Sequence, residues 1–252
     1  MPHSFKMLFL FAILSICSIE NQAKEIKVGI GMIDYPPYYF EKDGLLQGAL
    51  IEVSQHIADE LGHTLIFEKY PWPRIQLYLR EGNIDMVLIS SKTADREKYA
   101  VFAEVPHTYE TNYLFVKKGT ELDFNGDIQS LNKHHFGSVR GYFYGVEYDT
   151  ADQLNKQEAS NEKQLIEMLL HKRIDIAIGN LEVIHFFAEA ENVRNEISFI
   201  FPPINRTPSY FAFSKIKKDS TMLAHDFTLE VRKLIRTKKY REILNKYGIN
   251  KE

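Results

Sequence analysis

The chain has 252 residues, 44% of them hydrophobic and 26% charged, with a formal net charge of −3. Such a composition belongs to a globular protein with a sizeable core, enough for one large domain or two lobes of about 100 residues each. No long run of Lys or Arg offers the basic face that a phosphate backbone needs, which excludes nucleic acid as the main partner.

Lys6 precedes the apolar run Met7–Ile19, and polar residues ending in Ala23 follow. This pattern predicts a secretory leader over residues 1–23 and a periplasmic location. Cys17 is the one cysteine; Ile16, where a lipidation signal needs a small residue, argues against a lipid anchor there. With the leader removed no cysteine remains, which leaves no disulfide framework, thiol nucleophile or thiolate metal site. No second apolar segment reaches the 18 residues of a membrane span, so the remainder is expected to be soluble.

Lys24–Met32 alternates Ile26, Val28 and Ile30 onto one face and predicts a strand. Pro36 and Pro37 make Tyr35–Phe40 an irregular loop, with Tyr35 near a ligand and Phe40 in the core. Leu50, Val53, Ile57 and Leu61 fall at helical spacing before the stop signal Gly62. Thr64–Tyr70 predicts a strand, Pro73–Glu81 a short helix closed by Gly82, and Ile84–Ser90 a buried strand. Strand, helix, strand, helix, strand in this order implies a parallel sheet with crossover helices.

Further on, Asn112–Lys118 predicts a strand, and His135–Gly145 a strand running into a glycine-bounded aromatic loop. Asn161 and Gln164 form a capping box for a helix carrying Leu165, Met168 and Leu169. Ile174–Asn180 is another buried strand, Pro202–Phe213 three prolines followed by a strand, and the C-terminal stretch helical. Ile84–Asp85 and Ile174–Asp175 start matching segments 90 positions apart: Leu79 aligns with Leu169, Met86 with Ile176, Leu88 with Ile178 and Ser90 with Asn180. A repeat on this scale predicts two similar α/β lobes. Ligands bind beyond the carboxyl ends of parallel strands, so Ser90 and Asn180 are expected at one cleft, one from each lobe.

Candidate ligand contacts follow from residue type. The Arg96 fork, beside Ser90, Ser91 and Thr93, suits a carboxylate; its alternative is a solvated arginine pairing with Asp95 or Glu97. Trp72, fixed between two prolines, offers a stacking wall, and Arg74 points either into the same cleft or into solvent. In Arg140–Gly145 a cation and three consecutive rings, Tyr142 and Phe143 among them, cannot all face one core. The nine histidines show no metal-binding spacing, and neither a nucleophile elbow nor a phosphate-binding glycine loop occurs, so no cofactor, metal or catalytic constellation is expected.

This ordered set resembles the periplasmic solute-binding proteins of polar amino acid ABC transporters, bacterial extracellular solute-binding family 3. Its pieces are the leader, the strand with Tyr35–Phe40, the helix ending Glu60–Leu61–Gly62, the loop Trp72, the Leu79–Ser90 strand with Thr93–Arg96, Ile174–Asn180 and the terminal Lys239–Gly248. The resemblance implies an α/β, two-lobed type II periplasmic-binding fold, each lobe a mostly parallel sheet flanked by helices. Lobe 1 would comprise residues 24–108 and 210–252 and lobe 2 residues 109–209, with hinge connections near Val105–Glu110 and Pro202–Tyr210. It also implies a monomer that closes over a small carboxylate-bearing, amino-acid-like solute and docks on a membrane permease. Arg96 would hold the carboxylate with Ser91 and the backbone near Ser90, Tyr35 and Trp72 would be aromatic walls, and Tyr142 would stand where a threonine is usual.

At position 180 amino acid binders of this kind usually carry an aspartate for the ligand ammonium. Asn180 brings no charge, which would weaken a cationic ligand about tenfold or more. Met32 and Ile89 also replace smaller or more polar residues. Three rival readings are a dehydratase of the same fold acting on prephenate or arogenate, a ligand-sensing module for a membrane receptor, and a lobe pair that binds no small molecule.

Overall fold

The computed structural model describes residues 23–249; the expected leader, apart from Ala23, and Cys17 lie outside the described residues. The chain begins with β1 (Glu25–Gly31), a hairpin of β2 (Phe40–Lys42) and β3 (Leu45–Gln47), α1 (Ala49–Glu60), β4 (Thr64–Tyr70), α2 (Trp72–Glu81), β5 (Met86–Ser91), β6 (Ala100–Phe102) and β7 (Thr108–Lys117). It continues through β8 (His135–Val139), α3 (Val146–Asp149), β9 (Asn155–Ala159), α4 (Glu162–Leu170), β10 (Ile176–Asn180) and α5 (Leu181–Ala190). β11 (Ile197–Ser214), α6 (Ser220–Leu234) and α7 (Lys238–Lys246) complete it.

The main sheet runs β4-β1-β5-β11-β7-β10-β8-β9, with β6 added beside β11. Its two ends mirror each other. β1 pairs in parallel with β4 and β5, as β8 pairs in parallel with β9 and β10, and the antiparallel β11 and β7 follow on the inner side of each set. The 90-residue repeat read from sequence is therefore real at atomic detail. Asp85 donates its backbone N–H to the Lys27 carbonyl and accepts the Lys27 N–H on its carboxylate. Asp175 makes the same reciprocal pair with His135. Each aspartate thus satisfies the backbone where a central strand begins, which explains a charge next to an apolar run.

Successive residues of the central strands enter different clusters, as period-2 geometry requires. Met86 and Leu88 meet α1 and α6, whereas Val87 meets α2. Ile176 and Ile178 pack in one cluster and Ala177 in another. Burial on both faces is why these strands read as unbroken hydrophobic runs.

The elements depart from the sequence reading in several places. The β2–β3 hairpin, β6, β9, the single turn α3 and α5 were not expected, and Phe40 is half-buried, edge-on to Tyr247, rather than in the core. β11 is 18 residues long and starts before the prolines. Pro202 and Pro203 fall where its ladder to β7 shifts register between Ile200 and Asn205, so no paired donor is lost there. The stretches expected as separate connections, Val105–Glu110 and Pro202–Tyr210, meet as a ribbon in which Thr108, Tyr109 and Glu110 pair with Ser209, Pro208 and Thr207. The Asn161 cap forms as expected, but Gln164 reaches back to the N–H of Ser160.

Candidate functional site

The loops after β1, β4, β5 and β8 converge at the carboxyl ends of their strands. Together with β7 they enclose a cavity of about 40 Å³ lined by Tyr35, Tyr39, Trp72, Ile89, Ser90, Ser91, Arg96, Glu110, Asn112, Tyr142, Phe143 and Tyr144. That is room for about three waters.

Tyr35 is fixed by the backbone bridge to Tyr39 and by stacking on Tyr38 and Tyr39, with ring centroids 5.6 and 5.8 Å away. Pro71 ends β4 and starts α2, placing Trp72 at the helix's first turn. From the other lobe Tyr142 meets Tyr35 and Trp72 edge-on, at 6.0 and 6.1 Å. Rings from both lobes thus form one wall, in the edge-to-face geometry that the ring quadrupole favours.

Arg96 is 8% exposed. Among the described residues no ion pair engages it: Nη1 donates to the Ser91 carbonyl at 3.1 Å and Nη2 to the Gly141 carbonyl at 3.3 Å. The alternative pairing with Asp95 or Glu97 does not form; those carboxylates take Lys98 and Lys92. Burial lowers the Arg96 pKa, partly offset by Tyr99 and Glu110. The Gly141 carbonyl also accepts Trp72 Nε1 at 3.0 Å and Gln76 Nε2 at 2.9 Å, so three side chains of one lobe converge on one carbonyl of the other.

Two carboxylates complete the region. Glu110, on β7, accepts the Tyr35 hydroxyl at 2.6 Å and the Ser209 hydroxyl at 3.0 Å. Burial raises its pKa, opposed by these bonds and by Arg96. Glu162, the first residue of α4, is buried and accepts the Tyr142 hydroxyl at 3.0 Å. It lines a smaller cavity of about 10 Å³ behind Tyr35 and Tyr142, and burial pushes its pKa up to about 7.

Of the residues singled out from sequence, Tyr35, Trp72, Ser90, Ser91, Arg96, Tyr142 and Phe143 line one cavity. Arg74 is exposed, on the outer side of α2. Arg140 turns outward to Glu158 at 2.8 Å. Asn180 lies apart from the Arg96 cavity: its side-chain oxygen accepts the N–H groups of Glu182 and Val183, capping α5. An amide at the end of a buried strand is thus there to meet the helix that follows. Tyr39, Gln76, Glu110, Asn112, Tyr144 and Glu162 were missed. Glu110 entered the sequence reading only as the end of a connection and Glu162 not at all, and nothing in residue type marks either as enclosed.

Among the described residues no group of three or more His, Cys, Asp or Glu could hold a metal ion, and no helix is long and apolar enough to cross a membrane. Two α/β lobes meeting over a ring-walled cavity with a buried arginine define the class of two-lobed solute-binding folds. The chain belongs to the bacterial extracellular solute-binding proteins, family 3, whose sequence profile matches residues 26–250. A probable histidine-binding protein of Campylobacter jejuni is 24% identical over 226 residues, spanning 85% of this chain and 84% of its own length. The L-cystine-binding protein TcyJ of Bacillus subtilis is 29% identical over 140 residues, 54% of this chain and 49% of that protein.

Similar solved structures include a histidine kinase sensor domain with similarity to periplasmic binding proteins (TM-score 0.78, 20% identity, 90% of this chain and 97% of that one). The substrate-binding protein of an amino acid ABC transporter follows at TM-score 0.74 and 18% identity, over 90% of this chain and 100% of that one. AncCDT-1, an ancestral amino acid-binding protein and precursor of cyclohexadienyl dehydratase, gives 0.72 and 20%, over 88% and 95%. At these identities the likeness shows the shared fold.

Proposed function

We propose that the protein is a periplasmic solute-binding protein that captures a small carboxylate-bearing, amino-acid-like solute by hinge closure and delivers it to an ABC permease. The observation that carries this reading is the Arg96 guanidinium, enclosed among rings and hydroxyls with carbonyls in place of a carboxylate partner. A buried cation without a counter-ion is costly unless it is completed by an anion, and a planar carboxylate matches its fork. Ser90 and Ser91 supply hydroxyls, and Tyr35, Trp72, Tyr142 and Phe143 supply apolar walls. The lobes would be residues 24–108 with 210–252, and 109–209. The paired ribbon of Thr108–Glu110 and Thr207–Ser209 would be the hinge, since two short segments can absorb a rotation that packed lobes resist. The ligand would shift an open–closed equilibrium toward the closed form.

Isothermal titration with a panel of amino acids and simple carboxylates tests this. A ligand is expected whose affinity drops at least tenfold, roughly the worth of one charge-assisted hydrogen bond, in Arg96→Ala. Unchanged affinity in both Arg96→Ala and Trp72→Ala would sink the assignment. A second reading has one observation behind it: Glu162, with its pKa near 7 and facing a cavity, has the protonation a general acid needs. Turnover of prephenate or arogenate, abolished in Glu162→Gln, would establish it.

A further inference from the structure

We propose that Glu110, on the strand joining the lobes, is the residue that holds the cationic group of the ligand, so that the site selects solutes bearing both a carboxylate and an amine. This rests on the carboxylate-capture reading and adds to it a second point of attachment and its place.

The inference starts from two opposite charges that share a cavity without neutralising each other. Arg96 and Glu110 both line the 40 Å³ space, yet no ion pair joins them. Each is held instead by neutral groups, Arg96 by two backbone carbonyls and Glu110 by two hydroxyls. An ionised carboxylate has about four acceptor positions, and the hydroxyls of Tyr35 and Ser209 take one on each oxygen. Glu110 therefore keeps acceptor capacity while its orientation is fixed by two different elements. A positive and a negative group, separated and flanked by Tyr35, Trp72 and Tyr142, complement a zwitterion.

The other polar residues nearby are less suited to the task. The Asn180 oxygen is committed to α5 and its side chain lines the smaller cavity. Glu162 lines that same smaller cavity and is absent from the wall of the larger one. Asn112 donates its amide to Asn205 across the ribbon. Glu110 is thus the carboxylate that faces the Arg96 cavity, and the ligand's cation is placed toward β7 rather than toward α5.

The test is titration of the wild-type protein with the standard L-amino acids and L-cystine, each compared with its deaminated carboxylic acid. The expected result is at least tenfold tighter binding of the amine-bearing member of the best pair, as for a charge-assisted bond lost. In Glu110→Gln this preference should collapse while affinity for the deaminated acid stays within about threefold; in Glu162→Gln and Asn180→Asp it should persist. Equal wild-type affinities for the two members overturn the inference and leave carboxylate capture standing. A preference that survives Glu110→Gln overturns it as well. Binding of neither member overturns both readings. The wild-type comparison does not depend on any variant folding.

Discussion

Asn180 stabilises the start of α5 through one oxygen shared between two backbone donors, the N–H groups of Glu182 and Val183 at 3.1 and 3.3 Å. Removal of such a cap costs about 0.5–2 kcal/mol, whereas aspartate caps as well as asparagine. Asn180→Ala is therefore expected to lower stability by about 1 kcal/mol in urea unfolding, and Asn180→Asp to leave it nearly unchanged. The same geometry alters what Asn180→Asp should do to binding. From sequence, a new carboxylate at 180 would raise amino acid affinity by restoring a charge to the cleft. With the side chain turned to the helix, no such gain is expected, and a tenfold gain in titration would show that the side chain leaves its cap. That Asn180 ends a buried strand was legible here, but its place relative to Ser90 was not, because Ser90 lines the Arg96 cavity and Asn180 lies behind it at the smaller one. The role was not, because a cap and a ligand contact draw on the same residue types.

The two lobes repeat a packing device as well as a sequence pattern. On β1 the Cα of Gly29 faces the side chain of Ile84, and a Cβ built there would lie 2.5 Å from Ile84 Cδ1. On β8, Gly137 faces Ile174 in the same way, at 2.2 Å. The isoleucine two residues before each central strand thus packs against a neighbouring strand where a side chain has been omitted. Gly137→Ala should destabilise by about 1–3 kcal/mol, since the new methyl would press on Ile174 and on Leu165, 2.8 Å away, both buried in the core. Adding Ile174→Val removes the methyl that clashes, so the double variant should recover part of the loss, a non-additivity that unfolding measurements read directly. The strands themselves were legible because burial on both faces leaves unbroken apolar runs; this glycine pairing was not, because it depends on the register between strands. α4 carries a second consequence of burial. Glu162 rises from its ordinary 4.5 to about 7 because burial outweighs its favourable place at the helix N-terminus. The folded state therefore binds the proton more tightly than the unfolded chain. The stabilisation is complete below about 4.5 and lost as pH rises through 7, up to about 3 kcal/mol in all. Glu162→Gln mimics the protonated form and accepts the same bond from Tyr142. It should match wild type near pH 4.5 and exceed it by about 1–3 kcal/mol at pH 8. Comparing the two also separates this group from His107, which burial holds down at about 4 and which gives the opposite slope.

At the scale of the molecule, the sheet does not stop between the lobes: β7 and β11 run through both and pair with each other. Two lobes were legible from the 90-residue repeat, but separate sheets were implied, since continuity across the ribbon arises from pairing between segments about 100 residues apart. With the backbone continuous on one side, the lobes are also joined on the other by contacts across the cleft. Trp72 and Gln76 of one lobe donate to the Gly141 carbonyl of the other, joined there by Arg96. Trp72 is the chain's single tryptophan, so its emission reports this contact without interference. Under the proposed hinge opening the indole would lose both its hydrogen bond and the Tyr142 ring and meet water, and its emission should shift to longer wavelength. Gln76→Ala removes one of three donors from the carbonyl while leaving the fluorophore in place. It is expected to move ligand-free protein toward the open form, seen as a red shift together with a larger radius of gyration in X-ray scattering. The removed bond is worth about 1 kcal/mol, roughly a fivefold change in the open–closed ratio, so both signals should respond if the two forms are within about that factor of balance. A red shift without expansion would instead place the change in the Trp72 loop alone, and the cleft contact would not govern closure.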